Sequence, residues 1–338
     1  MTRTFTSVAA LLATVVASQA IAEGEVNIYS SRHYDTDERL YSDFEDQTGI
    51  TINRIEGKAD ELHARLQAEG ANSPADVFLT VDTSRLARAK DAGLLQPIDS
   101  AVLEERIPAN LQDADNQWFG FSQRSRIIFY NIDTVTEPPQ TYAELADPKY
   151  KGKICIRSSS NTYNQTLLAS IITHDGEQAA TDWAQGVVDN MARDPQGGDT
   201  DQLRGLISGE CDIAVSNSYY FARAMRKNVK GLSDHLDQIG WVFPNQDSTG
   251  AHMNLSGGGV AAHAPNKDNA VLFLEYLASP QAQEYFSNGN DEFPVVEGVA
   301  LAPTVEKLGE FKADDVVLSE VATNIPAAQK IFNQVNWK

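Results

Sequence analysis

Basic residues are scarce in this chain: 27 Lys and Arg stand against 47 Asp and Glu in 338 residues, a formal net charge of −20. Such a surface repels nucleic acid and anionic lipid and tolerates a cationic solute. The acids are scattered rather than gathered in one block, as on an ordinary solvated surface. Cysteine is scarcer still, with only Cys155 and Cys211, too few for a zinc tetrad. Beyond the first two dozen residues no run is long and apolar enough to span a bilayer. The chain lacks a Gly-rich dinucleotide loop, a P-loop, H-E-x-x-H and G-x-S-x-G. No nucleophile–base pair is evident, which disfavours an exported hydrolase, and no repeat of fixed period points to a structural array. Gly257-Gly258-Gly259 lacks the spacing of a phosphate cradle and reads as a backbone bend. His63, His174, His235 and His263 are dispersed and read as surface residues.

The N-terminus does carry a pattern. Arg3 is the only charge before Glu23, Val8 to Val16 is almost wholly small and apolar, and Ala20-Ile21-Ala22 supplies an A-x-A cleavage site. This reads as a secretory signal peptide over 1–22, with no following Cys to carry a lipid anchor. Two cysteines in an exported chain suggest a disulfide; two buried thiols are the other reading.

Hydrophobic types make up 42% of the chain, enough for a sizeable core, and 338 residues exceed what one core commonly holds, so two lobes are expected. Strand and helix alternate from the start. Val26–Tyr29 is a short strand, and Asp35 or Thr36 caps a helix bearing Leu40, Tyr41 and Phe44 that closes at Gly49. Ile50–Ile55 and Val77–Val81 are strands, with helices through Leu62 and Leu66 and through Leu86 and Ala89. A long strand-like stretch spans Trp118–Tyr130, and a second alternating unit begins at Lys153, with strands Ile154–Ile156 and Asp212–Val215. Trp241–Pro244 reads as another crossing and Ser256–Ala262 as a further strand. Two α/β lobes joined by extended crossovers fit this order, with ligands held beyond the carboxyl ends of the strands.

The unusual feature is where tyrosines fall. His33-Tyr34 follows the first strand, Tyr163 follows Ile154–Ile156 through a polar loop, and Tyr219-Tyr220 follows Asp212–Val215 through Ser216-Asn217-Ser218. All three places lie at the ligand edge of such a sheet. On a strand, Tyr219 and Tyr220 would point to opposite faces; in the first turn of a helix they differ by only about 100°. Ser216 or Ser218 is a suitable N-cap for that helix, whose positive end favours tyrosinate over tyrosine. Ferric iron is small, hard and triply charged, and anionic oxygen suits it. A phenol with a pKa of about 10 is deprotonated only when such a cation binds. Three tyrosinates neutralise the ion, a fourth leaves excess negative charge, and Arg124 and Arg126 are placed to offset it. Read from the residues alone, the same aromatics also suit packing or stacking on an organic solute.

Taken in order, Tyr29-Ser30-Ser31-Arg32-His33-Tyr34, the loop Arg157 to Gln165, and Ser216-Asn217-Ser218-Tyr219-Tyr220 resemble the ferric-binding proteins of bacterial iron ABC transporters. The likeness runs from the leader to the C-terminus. It is nearest to the tyrosine-rich subfamily that needs no obligatory anion, such as the cyanobacterial iron-uptake carriers. The resemblance implies an α/β, two-lobed periplasmic binding protein of type II-like architecture. Each lobe is a mixed sheet flanked by helices, and crossing strands join them. The expected division is 23–123 with 247–292 for the N-terminal lobe and 124–246 with 293–338 for the C-terminal lobe. It also implies Fe(3+) as cargo, His33, Tyr34, Tyr163, Tyr219 and Tyr220 as ligands, and Arg124 as a charge-balancing neighbour. Another branch uses a Glu and a synergistic anion, for which Glu56 is the nearest candidate. The implied protein is a periplasmic monomer, a carrier and not an enzyme. It serves an inner-membrane ABC permease, with no nucleic-acid partner and no membrane insertion. The alternative is a carrier of an organic cation or oxyanion using the same cleft. In this arrangement Cys155 lies eight residues before Tyr163 and Cys211 eight before Tyr219. Neighbouring strands in similar register would bring their Cα atoms to roughly 5 Å, within disulfide range.

Overall fold

The computed structural model describes residues 24–32 and 37–338. The leader, His33, Tyr34, Asp35 and Thr36 lie outside the described residues, and the residue at the α1 cap is Asp37, not Asp35 or Thr36. In chain order the first elements are β1 (Gly24–Ser30), α1 (Glu38–Thr48), β2 (Ile50–Glu56), α2 (Ala59–Glu69), β3 (Val77–Val81), α3 (Thr83–Asp91) and α4 (Ala101–Arg106). β4 (Phe119–Asn131), β5 (Ile154–Cys155), α5 (Thr162–Asn190), α6 (Asp199–Ser208), β6 (Ile213–Asn217), α7 (Ser218–Arg226) and β7 (Ile239–Val242) follow. The remainder comprises β8 (Met253–Val260), α8 (Lys267–Leu277), α9 (Pro280–Asn290), β9 (Phe293–Pro294), α10 (Pro303–Glu306), α11 (Leu318–Thr323) and α12 (Ile325–Gln334).

The strands run β2-β1-β3-β8-β4-β6-β5, with β7 and β9 also paired to β4. β1 pairs in parallel with β2 and β3, and β5 with β6, while β8 is antiparallel to both β3 and β4. β3 reads Val-Phe-Leu-Thr-Val and is buried on both faces, as a sheet covered by helices on each side requires. α1 stops where Gly49 takes φ 74°, a left-handed C-cap that costs glycine little. Its Phe44 packs edge-on against Phe273 of α8, ring centroids 5.2 Å apart. A second cluster gathers Phe129 of β4 and Phe221 of α7 at 5.3 Å, with Trp241 of β7 at 5.2 Å from Phe221. Burying each such ring contributes about 1.5–3 kcal/mol.

β4 serves two neighbourhoods. Its first half pairs with β8 and β9, and from Arg126 onward it pairs with β6 and β7. α5 is two helical runs, one through Leu167 and one through Trp183, separated at Gly176, which takes φ 84° and ψ 165°.

Gly257, Gly258 and Gly259 do not form a bend. They lie buried inside β8, where neighbouring strands approach too closely for a side chain. A Cβ there would sit 2.4 Å from the Phe119 carbonyl, 2.5 Å from Leu79 Cδ2 and 2.1 Å from the Gln117 carbonyl, respectively.

Candidate metal centre

Two helix N-termini bring the phenols together. Asn161 caps α5, its side chain accepting the Asn164 N–H, and Tyr163 stands in the first turn. Tyr219 and Tyr220 occupy the first turn of α7, as the side-by-side arrangement demands. Their rings stack, centroids 4.1 Å apart and planes at 30°. The residue at the α7 cap is Asn217, not Ser216 or Ser218, and its side chain does not cap. Instead Asn217 Oδ1 accepts from Arg126 Nη1 at 3.1 Å, because a buried guanidinium competes for the oxygen.

The Tyr163 and Tyr219 hydroxyls lie 3.5 Å apart, on side chains that are almost wholly buried. They open into a cleft of about 780 Å³ that Tyr220, Glu56, Lys58, Arg85 and Arg223 also line. Thus the structure brings Tyr163, Tyr219 and Tyr220 together, with Glu56 on the same cleft. Among the described residues no three His, Cys, Asp or Glu side chains gather to hold a metal. Phenol oxygens and the Glu56 carboxylate are donors that the described residues bring to this cleft.

Guanidinium groups surround the rings. Arg124 lies 5.8 Å from the Tyr219 centroid, Arg223 lies 5.1 Å from Tyr219 and 5.6 Å from Tyr220, and Arg126 and Arg157 lie 6.0 and 5.9 Å from Tyr163. Positive charge at this range offsets negative charge left over after a cation binds. Arg124 is fully buried and bonded to Ser256 and Glu292. Glu292 also takes a hydrogen bond from Ser122 Oγ at 2.6 Å and faces Arg32 at 3.4 Å. Burial alone would push the Glu292 carboxyl up, but Arg124 and Arg32 hold it below the usual range. Arg223 was not singled out from sequence, although its position four residues after Tyr219 puts both on one helix face. Glu292 and Asp199 carried no local signal.

Cys155 and Cys211 form a disulfide with Cα atoms 5.8 Å apart. The register differs from simple alignment: Cys155 lies opposite Ala214, and Cys211 sits in the turn before β6, where its N–H bonds to the Gly205 carbonyl. A Cβ on Gly205 would lie 2.8 and 3.0 Å from the two sulfurs, so glycine in α6 is what lets the bridge close there. His174 and His263 are exposed, in line with surface roles, whereas His63 and His235 are half-buried and the Nε2 of His63 is enclosed.

His252 is buried, and among the described residues neither ring nitrogen has a hydrogen-bond partner. Burial first, then the charges of Arg126 and His174, lowers its pKa to about 3. The folded protein thus keeps this ring neutral while the unfolded chain protonates it near pH 6.5. Stability held above pH 6.5 is lost as pH falls toward 3, by on the order of 2 kcal/mol between pH 7 and pH 5. Urea unfolding at those two pH values checks this. His252→Phe is expected to flatten the difference, and an equally steep variant would remove His252 as its source.

The family profile described as bacterial extracellular solute-binding protein matches residues 39–313. The chain is similar to the iron uptake protein A1 of Synechocystis, 48% identical over 315 residues, covering 93% of this chain and 88% of that protein. It is also similar to the major ferric iron-binding protein of Neisseria meningitidis, at 27% identity over 97% of this chain and 98% of that one. Among solved structures, Trichodesmium IdiA (FutA) in complex with iron and citrate ligands superposes with a TM-score of 0.90 at 51% identity, covering 93% of this chain and all of that one.

Proposed function

We infer the function from one premise: the chain belongs to the family of bacterial extracellular solute-binding proteins. It is a periplasmic carrier that captures ferric iron in the cleft between two lobes and hands it to an inner-membrane ABC permease. The observation that carries this reading is the meeting of the Tyr163 and Tyr219 hydroxyls at 3.5 Å, with Tyr220 stacked beside them. Three phenolates at one place match a trivalent hard cation in charge and in donor type. The names of the similar Synechocystis, Neisseria and Trichodesmium proteins, all iron proteins, support the same cargo.

In this reading His33 and Tyr34 join Tyr163, Tyr219 and Tyr220 as ligands, and Arg124 balances the excess charge. The lobes are 23–123 with 247–292 and 124–246 with 293–338, since β4 changes partners at Arg126. Ligands drawn from both lobes pull the cleft shut around the ion. The cleft exceeds the volume of one ion and leaves room for water or a small carboxylate. The carrier acts as a monomer and performs no chemistry on its cargo.

The test is the visible spectrum of the mature protein before and after a ferric salt is added as a weak chelate. A saturable tyrosinate-to-iron band at one iron per chain is expected. Tyr163→Phe separates iron from a stacked organic solute, because losing one hydroxyl hardly changes stacking and strongly weakens iron binding. A protein that stays colourless with excess ferric chelate would sink the reading.

A further inference from the structure

We infer that Asp199 is a positioning residue for the tyrosine cluster: through Arg126 and Arg157, this one buried carboxylate fixes the first turns of both helices that present the phenols. The inference rests on the iron-carrier reading and adds the element that holds the site's geometry.

Asp199 opens α6 and is wholly buried. Its Oδ1 accepts from Arg126 Nη1 at 2.8 Å and from the Asn217 backbone N–H at 3.1 Å, and its Oδ2 accepts from Arg157 Nη1 at 2.7 Å. Arg126 then reaches both helix starts. Its Nη2 donates to Asn164 Oδ1 at 2.6 Å and its Nη1 to Asn217 Oδ1 at 3.1 Å. Asn164 closes the loop by donating from Nδ2 to the Arg157 carbonyl at 2.7 Å. Asn164 is the residue after Tyr163, and Asn217 stands two before Tyr219. The network thus reaches the residues that flank both Tyr163 and Tyr219.

A buried ion pair by itself is weak support for any role beyond folding. Three features distinguish this one. The acid bridges two elements distant in sequence that share one candidate site. Two guanidiniums against one carboxylate leave net positive charge under the Tyr163 ring. Both arginines are oriented by charge-assisted bonds, which a neutral side chain would not hold as tightly. Burial would raise the Asp199 carboxyl, but Arg126 and Arg157 keep it below the usual range, so the clamp stays charged at neutral pH. Polar partners that orient ligands typically alter metal affinity by about 10–100-fold when removed.

The experiment is a double-mutant cycle on the full mature protein, with iron supplied as ferric citrate and affinity read by citrate competition. Asp199→Asn and, separately, Arg157→Gln are each combined with Tyr163→Phe. Arg157 is partly exposed and its loss leaves the Asp199–Arg126 pair intact, so it serves if Asp199→Asn does not fold. Each single change is expected to weaken ferric binding by about 10–100-fold and to shift or broaden the tyrosinate band. In the Tyr163→Phe background Arg157→Gln should cost less than about 3-fold, because its effect runs through Tyr163, while Asp199→Asn should keep only the share that runs through Asn217 to Tyr219. A merely structural role would lower the melting temperature in both backgrounds and leave the band in place. That result, or equal losses in both backgrounds, overturns the inference while the carrier reading stands. A wild-type protein that takes up no iron overturns both.

Discussion

Tyr219→Phe is expected to remove most of the visible iron band and to weaken ferric binding by more than about 100-fold. Residues that merely orient a ligand change metal affinity by about 10–100-fold, and Tyr219 is assigned here as a ligand itself. The variant keeps the ring, so the stack on Tyr220 at 4.1 Å and the cation–π contacts with Arg124 and Arg223 remain available. The fold should therefore hold, with a melting temperature within a few degrees of wild type. Titration with ferric citrate, followed at the band maximum and by citrate competition, makes the measurement. A variant with an undiminished band and unchanged affinity would strike Tyr219 from the ligand set.

The second large effect concerns the bridge. The two cysteines are 56 residues apart in sequence, and cross-linking a loop of that length restricts the unfolded chain by about 4 kcal/mol on the chain-entropy account. Cys155→Ala combined with Cys211→Ala is expected to lose about that much, read as a lower urea midpoint. The loss should also reach the cargo. β5 leads through a short loop into α5, and the Cys211 turn leads through β6 into α7, so the bridge ties the approaches to both tyrosine-bearing helices. Faster iron release to a competing chelator is the expected companion effect. An unchanged urea midpoint, or two alkylatable thiols in the native unreduced protein, would contradict this account.

Much of this was legible because it is local. Val77–Val81 is a largely apolar run, interrupted only by Thr80, between Asp76 and Asp82, and β3 has those bounds. Placing Tyr219 and Tyr220 in a first helical turn followed from side-chain direction alone, and α7 begins at Ser218. The rest depended on strangers in sequence. Three consecutive glycines look like a bend when read locally, and only the carbonyls of Gln117 and Phe119 explain why β8 needs them. Asp199 at a helix start looks like an ordinary solvated acid favoured by the helix dipole. Its burial is set by Arg126 and Arg157, 73 and 42 residues away. Asn217 leaves its cap for the same reason, since a guanidinium outbids the backbone for its oxygen. The bridge was foreseen but not its register, because the turn at Cys211 depends on how α6 ends.

The place of β8 in the sheet bears on how the chain is made. β8 sits between β3 and β4, yet Val77 of β3 meets Val260 and Val81 meets Ser256, partners more than 170 residues later in the chain. A polypeptide emerging from its N-terminus completes β1, β2 and β3 long before the strand that seals β3 exists. Contacts that close such long loops form slowly. The central sheet therefore waits for the last third of the molecule, so the native core cannot be complete until most of the chain has emerged. For a protein bound for the periplasm, that delay keeps the chain threadable during export.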